Sequence, residues 1–342
     1  MSSDKSLTPT IKDVTKLAKV SPATVSGVLS GNKRVSDISR QSVEWAIQQL
    51  GYRPNSVAQS LRTRRSQTIG LIIPDITNPF YANIAQGVVE QAHELGYGVF
   101  LVTAGETPEE LMETAERMAD RHVDGLILTS VGIDDSLPPW RLHNLPYVLV
   151  NRRTNMVNTD YVGVDNRAGA IEAVDYLVLF GHRKIAFLGG VENSSASRDR
   201  LEGFIASMQE HHYDIPAHFI RFAHLNYQEA YLHSQELMRS PLAPTAIFAG
   251  DDMMALGALQ GLAEIGVRVP EEVSVVGFDG IWITDLTGIQ LTTVVQPRYE
   301  LGSTALKLLH DRINGFDSDK RIKILDHHLA KRETTGPVRY ND

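Results

Sequence analysis

The residues best placed to do chemistry are polar side chains that follow apolar, strand-like segments. Such positions just past the segments are occupied by Asp75, Asn78, Asn151, Asp251 and Asp279. Arg198 and Arg200 follow the segment KIAFLGG. In open α/β sheets, ligands bind beyond the carboxyl ends of the strands. Carboxylates and amides there can accept ligand hydroxyl protons, and arginine supplies a fork of donors. These residue types predict a site for a polyhydroxylated small molecule, and the two arginines leave a sugar acid or phosphorylated sugar open.

Patterns typical of catalysis and metal binding are missing from the sequence. It contains no glycine-rich phosphate loop, no HExxH, no GxSxG and no cysteine, which excludes thiol catalysis and thiolate metal sites. The adjacent pairs His211/His212 and His327/His328 lack the i, i+4 spacing of metal ligands on a helix. We therefore interpret them as solvated loop histidines and predict no catalytic residue, no metal site and no cofactor.

Charge is unevenly distributed along the chain. The first 65 residues contain 11 Lys and Arg against 4 Asp and Glu, a formal charge of +7, whereas the remaining 277 residues carry −15. Lysine and arginine supply the sequence-independent part of DNA affinity by neutralising phosphates. A basic head on an acidic body suggests that the head binds DNA, although charge alone fits a basic tail without a partner equally well.

The head has the pattern of three short helices. Apolar residues follow helical spacing from Ile11, and Ser21 with Pro22 can start a second helix after a turn at Lys19. A third helix is predicted from near Ser39 to Leu50, before Gly51. Two short helices joined by a tight turn and braced by a third are typical of a helix-turn-helix, which lays its second helix in the major groove.

The body alternates apolar strands with amphipathic helices from Thr68 onward, and the alternation starts again after Asp165. Strands that are apolar throughout and separated by helices indicate parallel sheets covered on both faces, here in two lobes. The helices are predicted near 80–95, 111–121, 170–179, 200–209, 227–239 and 253–265. No run approaches the roughly 18 apolar residues of a spanning helix, and the first residues carry no secretion signal, so we expect a cytoplasmic protein without membrane contact.

Two segments carry a family resemblance. TIKDVTKLAKVSPATVSGVLSGNKRVS and LGYRPNSVAQSLRTRRSQTIGLIIPDITNPFY closely resemble the lac repressor (LacI/GalR) family of transcriptional regulators, and the similarity extends to the carboxyl terminus. The resemblance implies an all-α helix-turn-helix head and a two-lobed α/β body of the periplasmic-binding-protein type with parallel, Rossmann-like sheets. The implied domains are a head at 1–52, a hinge helix at 53–66 and an effector-binding body at 67–342. Within the body, the first lobe would be about 67–165 with 293–325, and the second about 166–292 with 326–342.

The resemblance also implies which residues contact DNA. Pro22, Ala23 and Gly27 match positions that read base edges, although the family usually has an arginine at the position of Gly27, so the operator sequence stays open. Leu61 would enter the minor groove from a hinge helix that forms when two copies pair on DNA. The full implied set is Thr10, Ser21, Pro22, Ala23, Thr24, Ser26, Gly27, Lys33, Asn55, Ala58 and Leu61.

Effector contacts follow from the same resemblance. The implied residues are Phe80, Tyr81, Asn151, Arg198, Arg200, Leu225, Asp251, Asp279 and Gln296. Asp251 could instead only cap a helix, and Phe80 and Tyr81 could serve only in helix packing. The function implied is that of a homodimeric repressor on a pseudo-palindromic operator, bound to the nucleoid and controlled by a sugar or sugar acid. A purine-type corepressor-dependent regulator and a carbohydrate-binding transport protein are the alternatives.

Overall fold

The protein is described from a computed structural model that covers residues 9–29, 35–52, 65–105, 107–138, 140–156, 158–223 and 227–339. The chain divides into two compact units, Met1–Ser66 and Gln67–Asp342. Five of the residues predicted to contact DNA or effector lie outside the described residues: Lys33, Asn55, Ala58, Leu61 and Leu225. Along the described chain, no helix has the length and apolar character needed to cross a membrane.

The first unit contains three helices: α1 (Ile11–Ala18), α2 (Pro22–Leu29) and α3 (Asp37–Leu50). The Asp13 carboxylate accepts hydrogen bonds from the Thr10 amide and hydroxyl, and so fixes the start of α1. Ser36 accepts a hydrogen bond from the Ser39 amide, and α3 therefore begins two residues before the predicted Ser39. The three helices enclose a small core of buried side chains from Val14, Ala18, Val25, Val28, Val43 and Ala46.

The first lobe of the second unit is built on a six-stranded parallel sheet. Its elements are β1 (Thr68–Ile73), α4 (Pro79–Glu94), β2 (Gly98–Thr103), α5 (Pro108–Asp120), β3 (Gly125–Leu128), β4 (Tyr147–Val150) and β5 (Asp160–Val164), joined late in the chain by α10 (Arg298–Ile313) and β11 (Ile322–Leu325). The strand order is β11-β5-β4-β3-β1-β2. Helices α4 and α10 pack together with their backbones close, since a Cβ atom on Gly87 would lie 2.1 Å from the carbonyl oxygen of Tyr299.

The second lobe repeats this architecture. Its elements are α6 (Asn166–Leu179), β6 (Ile185–Gly189), α7 (Ser195–Glu210), β7 (Ile220–Phe222), α8 (Tyr227–Arg239), β8 (Ala246–Ala249), α9 (Asp252–Glu264), β9 (Ser274–Asp279), β10 (Thr292–Val295) and β12 (His328–Ala330). The strand order is β12-β10-β9-β8-β6-β7, and only β12 among these strands runs antiparallel to its neighbour. Short 3₁₀ turns precede β7 and follow β9.

The fold class implied by the sequence is confirmed, with three differences in detail. Strand β5 and helix α10 were not predicted. The first lobe was expected to resume at about residue 293, but Thr292–Val295 pairs with β9 in the second sheet, so the chain crosses between the lobes only after Val295. The hydrogen-bonding partner of a strand decides its lobe, and the apolar run TTVVQ does not reveal that partner.

Candidate functional site

A cleft lies between the two lobes at the carboxyl ends of the parallel strands. Its lining comes from segments that follow β1, β4, β6 and β8, from the start of α7 and from the last residue of β9: Asn78, Phe80, Tyr81, Asn151, Arg152, Gly190, Ser194, Ala196, Ser197, Arg200, Gly250, Asp251 and Asp279. The space within the cleft that the centre of a water-sized sphere can reach is about 20 Å³. In this closed arrangement the cleft therefore has room for about one water molecule, and the lobes must separate to admit a larger ligand.

Arg200 is the central cation of the cleft. Its side chain is 6% exposed, and its Nη2 atom lies 3.6 Å from Oδ1 of Asp279, which is equally buried. Nε donates a hydrogen bond to Oδ1 of Asn166 at 2.8 Å, and Nη1 donates to the carbonyl oxygen of Gly250. The guanidinium group also lies 3.8 Å from the ring centroid of Phe278. These contacts fix the orientation of Arg200 in the cleft.

Two buried carboxylates face this cation. Asp251 accepts a hydrogen bond from the Met254 amide at 2.7 Å and so caps α9, while Asp279 accepts one from Nε2 of Gln296, also at 2.7 Å. Burial raises the pKa of Asp251, and burial raises the pKa of Asp279 well above its usual range, although Arg200 opposes this rise. The capping role of Asp251 thus coexists with its position in the cleft.

A third acid, Asp252, lies directly behind the cleft. Its carboxylate accepts hydrogen bonds from Oγ1 of Thr293 at 2.6 Å and from the Ile281 amide at 2.8 Å. Burial, together with the neighbouring Asp251, raises the pKa of Asp252 to about 7. Asp252 therefore ties α9 to β10 and to the turn after β9, and it places a titratable carboxyl group behind the lining.

Several buried polar atoms at the cleft have no hydrogen-bond partner within the part of the chain that the structure describes. Four of them are oxygens: Asn151 Oδ1, Ser197 Oγ, Asp251 Oδ2 and Gln296 Oε1. A buried acceptor without a partner costs about 1–3 kcal/mol. Asn151 and Asp279 also have positive backbone φ angles, 66° and 123°, which non-glycine residues rarely adopt. Unmet acceptors and strained backbone in one place are typical of a ligand site.

The structure brings most of the predicted effector residues together. Phe80, Tyr81, Asn151, Arg200, Asp251 and Asp279 line the cleft, and Gln296 is buried beside Asp279. Phe80 and Tyr81 also pack edge to face, with ring centroids 5.1 Å apart, so their packing role is real as well. Arg198, by contrast, is exposed and is not part of the lining.

Sequence reasoning missed several lining residues. Arg152 directly follows Asn151 and is buried, and its Nη2 donates to the Tyr81 hydroxyl at 3.3 Å. Ser194 and Ser197 come from the start of α7, where Ser194 caps the helix. The serine-rich segment NSSAS between strand and helix was the available signal for these two residues. Asp75, which also follows a strand, instead accepts hydrogen bonds from Thr77 and is exposed.

One contact joins the lobes where the chain crosses between them. Arg298, the first residue of α10 in the first lobe, donates from Nη1 to the carbonyl oxygens of Asp279 and Gly280 in the second lobe. Its Nε also donates to Oδ1 of Asn83 on α4, at 3.4 Å. Burial lowers the pKa of Arg298, although Asp279 and Asp252 oppose this shift. Arg298 therefore anchors the crossover to the end of β9.

The head presents a second candidate surface on helix α2. Pro22 and Ala23 are exposed at its start, while Thr24, Ser26 and Gly27 are partly exposed farther along. The Ser21 hydroxyl accepts a hydrogen bond from the Thr24 amide at 3.1 Å and lies 2.9 Å from the Thr24 hydroxyl. Val25 and Val28 anchor the opposite face of the helix in the core. The accessible face of α2 thus carries only small side chains.

Comparisons with known proteins agree with this architecture. The model of "Periplasmic binding proteins and sugar binding domain of LacI family" matches residues 66–333, and that of "Bacterial regulatory proteins, lacI family" matches residues 10–55. Catabolite control protein A of Priestia megaterium is 33% identical, over 95% of this chain and 99% of its own length. No metal-binding cluster of His, Asp or Glu occurs among the residues described.

Two solved structures are similar over nearly the whole chain. The lac repressor dimer bound to operator and the anti-inducer ONPF has a TM-score of 0.87 at 27% identity, covering 96% of this chain and 100% of that one. The transcriptional regulator CelR in complex with cellobiose has a TM-score of 0.71 at 33% identity, covering 95% and 99%. The expected relationship is therefore confirmed: the chain belongs to the LacI family of bacterial transcriptional regulators.

Proposed function

We propose that this repressor binds a neutral, polyhydroxylated sugar in the cleft between its lobes and that the sugar controls the affinity of the head for operator DNA. The observation that carries this proposal is the set of unmet oxygens at Asn151, Ser197, Asp251 and Gln296. An oxygen acceptor requires a donor, and each hydroxyl of a sugar can donate one hydrogen bond. The relatives are transcriptional regulators, which supports a regulatory, non-enzymatic role for this chain.

Charge in the cleft favours a neutral sugar over a sugar acid or phosphate. The ionised carboxylate or phosphate group of such a ligand only accepts hydrogen bonds, so that group adds an acceptor at a site whose unmet atoms are themselves acceptors. They would also place a further negative charge beside Asp251 and Asp279, whose pKa values burial already raises. Arg200 already pairs with Asp279 and donates hydrogen bonds to Asn166 and Gly250, so part of its positive charge is engaged within the protein.

A thermal-shift screen tests this proposal. Neutral sugars such as ribose, glucose and cellobiose are compared with gluconate, glucose 6-phosphate, adenosine and hypoxanthine. A ligand at about 100 times its Kd stabilises the native state by about 2.7 kcal/mol, which raises the Tm by about 5 °C or more. We expect a neutral sugar to produce this shift. Stabilisation by a sugar acid, sugar phosphate or purine compound alone would contradict the proposal.

The same screen is repeated on the variant Asp279→Asn, which should abolish or strongly reduce the shift because an amide replaces a buried carboxylate acceptor. Glu192→Gln, an exposed change in the second lobe, is the matched control and should retain the shift. Equal Tm shifts in the two variants would exclude Asp279 as a ligand-binding residue.

We also propose that the repressor acts as a homodimer on a pseudo-palindromic operator. A groove in the second lobe is lined by Leu256, Leu259, Gln260 and Ala263, which share one face of α9, and by Tyr227 at the start of α8. Neighbouring Trp282 and Leu286 are exposed. The groove also includes the charged residues Arg268, Glu271 and Glu333. Aliphatic side chains beside polar and charged ones are typical of a protein interface, and a second copy would place two heads on adjacent half-sites.

Operator affinity should fall steeply with salt concentration if the basic head binds phosphates. A protein that makes about 6–10 phosphate contacts loses about 10³–10⁵ in affinity between 50 and 200 mM salt. A duplex selected from a random pool by the protein itself serves as the probe, and fluorescence anisotropy gives the Kd at each salt concentration. A Kd that is independent of salt would contradict a role for the +7 charge of the first 65 residues in DNA binding.

A further inference from the structure

At the rim of the cleft, opposite charges from the two lobes meet. Arg153 follows β4 in the first lobe, and Asp199 lies near the start of α7 in the second lobe. The guanidinium and carboxylate form two parallel hydrogen bonds, Nη1 to Oδ2 at 2.6 Å and Nη2 to Oδ1 at 2.9 Å. Such bidentate pairs are shorter and stronger than neutral hydrogen bonds, and their geometry is specific.

The backbone of Arg153 crosses the cleft as well. Its amide donates a hydrogen bond to Oγ of Ser195 in the second lobe at 2.8 Å. Farther along the rim, the Ile133 amide of the first lobe donates to the carbonyl oxygen of Asn193 in the second lobe, also at 2.8 Å. The contacts of Arg153 and Ile133 must separate when the rim opens, because each joins one lobe to the other.

The ion pair adjoins the ligand-contacting positions in sequence. Asn151 lies two residues before Arg153, and Arg200 directly follows Asp199. When the pair forms, Asn151 and Arg200 therefore lie on opposite sides of the cleft. The side chain of Asp199 is 17% exposed and that of Arg153 is 43% exposed, so water reaches the pair without fully screening it.

We propose that Arg153 and Asp199 form a closure latch, a pair of positioning residues that holds the two lobes together at the cleft rim and thereby sets how readily a ligand closes the cleft. The latch exists only in the closed arrangement, so its free energy adds to that of every ligand that closes the lobes. Its consequence for effector affinity rests on the proposed function. The effect of the latch on the distance between the lobes does not rest on the proposed function, because that distance is measured without ligand.

The test is the distance between the lobes in the full-length, ligand-free protein, measured by double electron–electron resonance. The chain has no cysteine, so spin labels attach only at introduced cysteines. Glu113→Cys on α5 and Glu202→Cys on α7 place one exposed label on each lobe. This doubly labelled background is expected to show mainly the shorter, closed distance.

Reversing one charge of the latch should open the cleft. In Arg153→Asp, two carboxylates face each other and repel, so the ratio of closed to open molecules should fall by about 100-fold or more. The double variant Arg153→Asp/Asp199→Arg restores opposite charges and should return the distance distribution to the closed one. This rescue separates the latch from general loss of structure, because a misfolded variant would not recover.

A matched control is available inside one lobe. Arg141 and Glu116 form an ion pair within the first lobe, with side chains 36% and 32% exposed. Arg141→Asp reverses a charge of similar exposure without touching the contact between lobes, and it should keep the closed distribution. The proposal is overturned if Arg153→Asp keeps the closed distance, if the double variant stays open, or if the labelled protein with an intact latch is already mainly open. None of these outcomes depends on which ligand the cleft binds.

Discussion

Replacing Arg200 with alanine is expected to lower the free energy of unfolding of the body by about 3–5 kcal/mol, because it leaves a buried carboxylate without its cation. Asp279 would lose the guanidinium group 3.6 Å away, and Phe278 would lose the cation above its ring. Urea unfolding followed by far-UV circular dichroism at pH 7.5 measures the loss. Arg117→Ala removes an exposed ion pair with Glu113 and should leave the midpoint unchanged.

The loss in Arg200→Ala should also depend on pH. Burial raises the pKa of Asp279, and removal of the cation that opposes this rise should raise it further. A carboxyl group with a raised folded-state pKa contributes stability that is fully present below its unfolded pKa of about 3.9 and is lost as the pH rises through the folded-state value. The difference from wild type should therefore be larger at pH 8 than at pH 5. A difference that is equal at both pH values, or larger at pH 5, would contradict this electrostatic account.

Replacing Leu259 with arginine is expected to separate the proposed dimer. Leu259 lines the groove on α9, and a charge there cannot be buried against a second copy without a large desolvation cost. Sedimentation equilibrium should show the mass falling from twice 37.9 kDa to 37.9 kDa. Operator affinity should fall by about 100-fold or more, because the two heads would no longer be linked.

Leu179→Arg is the matched control for this change. Leu179 is 83% exposed at the end of α6 and is not among the residues that line the groove. This variant should keep both the mass and the operator affinity of the wild type. Tyr227→Arg, at the start of α8, should reproduce the effect of Leu259→Arg. A wild-type mass for both groove variants would show that the copies meet elsewhere or that the protein is a monomer.

The cleft was largely predictable because its position follows from the topology of parallel sheets. Once the apolar runs are assigned as parallel strands, the residues just past them must lie near one edge, and Asn151, Asp251 and Asp279 do. Family resemblance then added Phe80 and Tyr81, which follow a strand by several residues. The pattern did not predict the third acid, Asp252, because its partners Thr293 and Ile281 lie far away in the sequence.

Arg198 and Arg200 show where finer sequence reasoning was available. At 3.6 residues per turn, positions two apart on a helix point in nearly opposite directions. Ser197 and Arg200 are three apart and share a face toward the cleft, so Arg198 must point away from it. Helical phase thus distinguishes the two arginines, whereas their shared residue type does not.

Helix α10 was missed although its sequence is amphipathic. Leu301, Ala305 and Leu308 recur at helical spacing and are buried against the first lobe. Strand β5 was harder to recognise, because it begins at Asp160, a buried carboxylate that two arginines from the end of the chain neutralise. No local pattern reveals a partner that is about 150 residues away.

The hydrogen bonds from Arg298 to the carbonyl oxygens of Asp279 and Gly280 determine how the two lobes can move relative to each other. A guanidinium group fixed at the crossover acts as a fulcrum, because the lobes cannot move apart there without breaking its hydrogen bonds. Opening at the rim is then a rotation, with the smallest displacement beside Arg298 and the largest at the ends of the lobes farthest from it. Under the proposed function, the sugar at Asp279 lies next to this fulcrum, where a small displacement corresponds to a larger displacement at the far ends of the lobes.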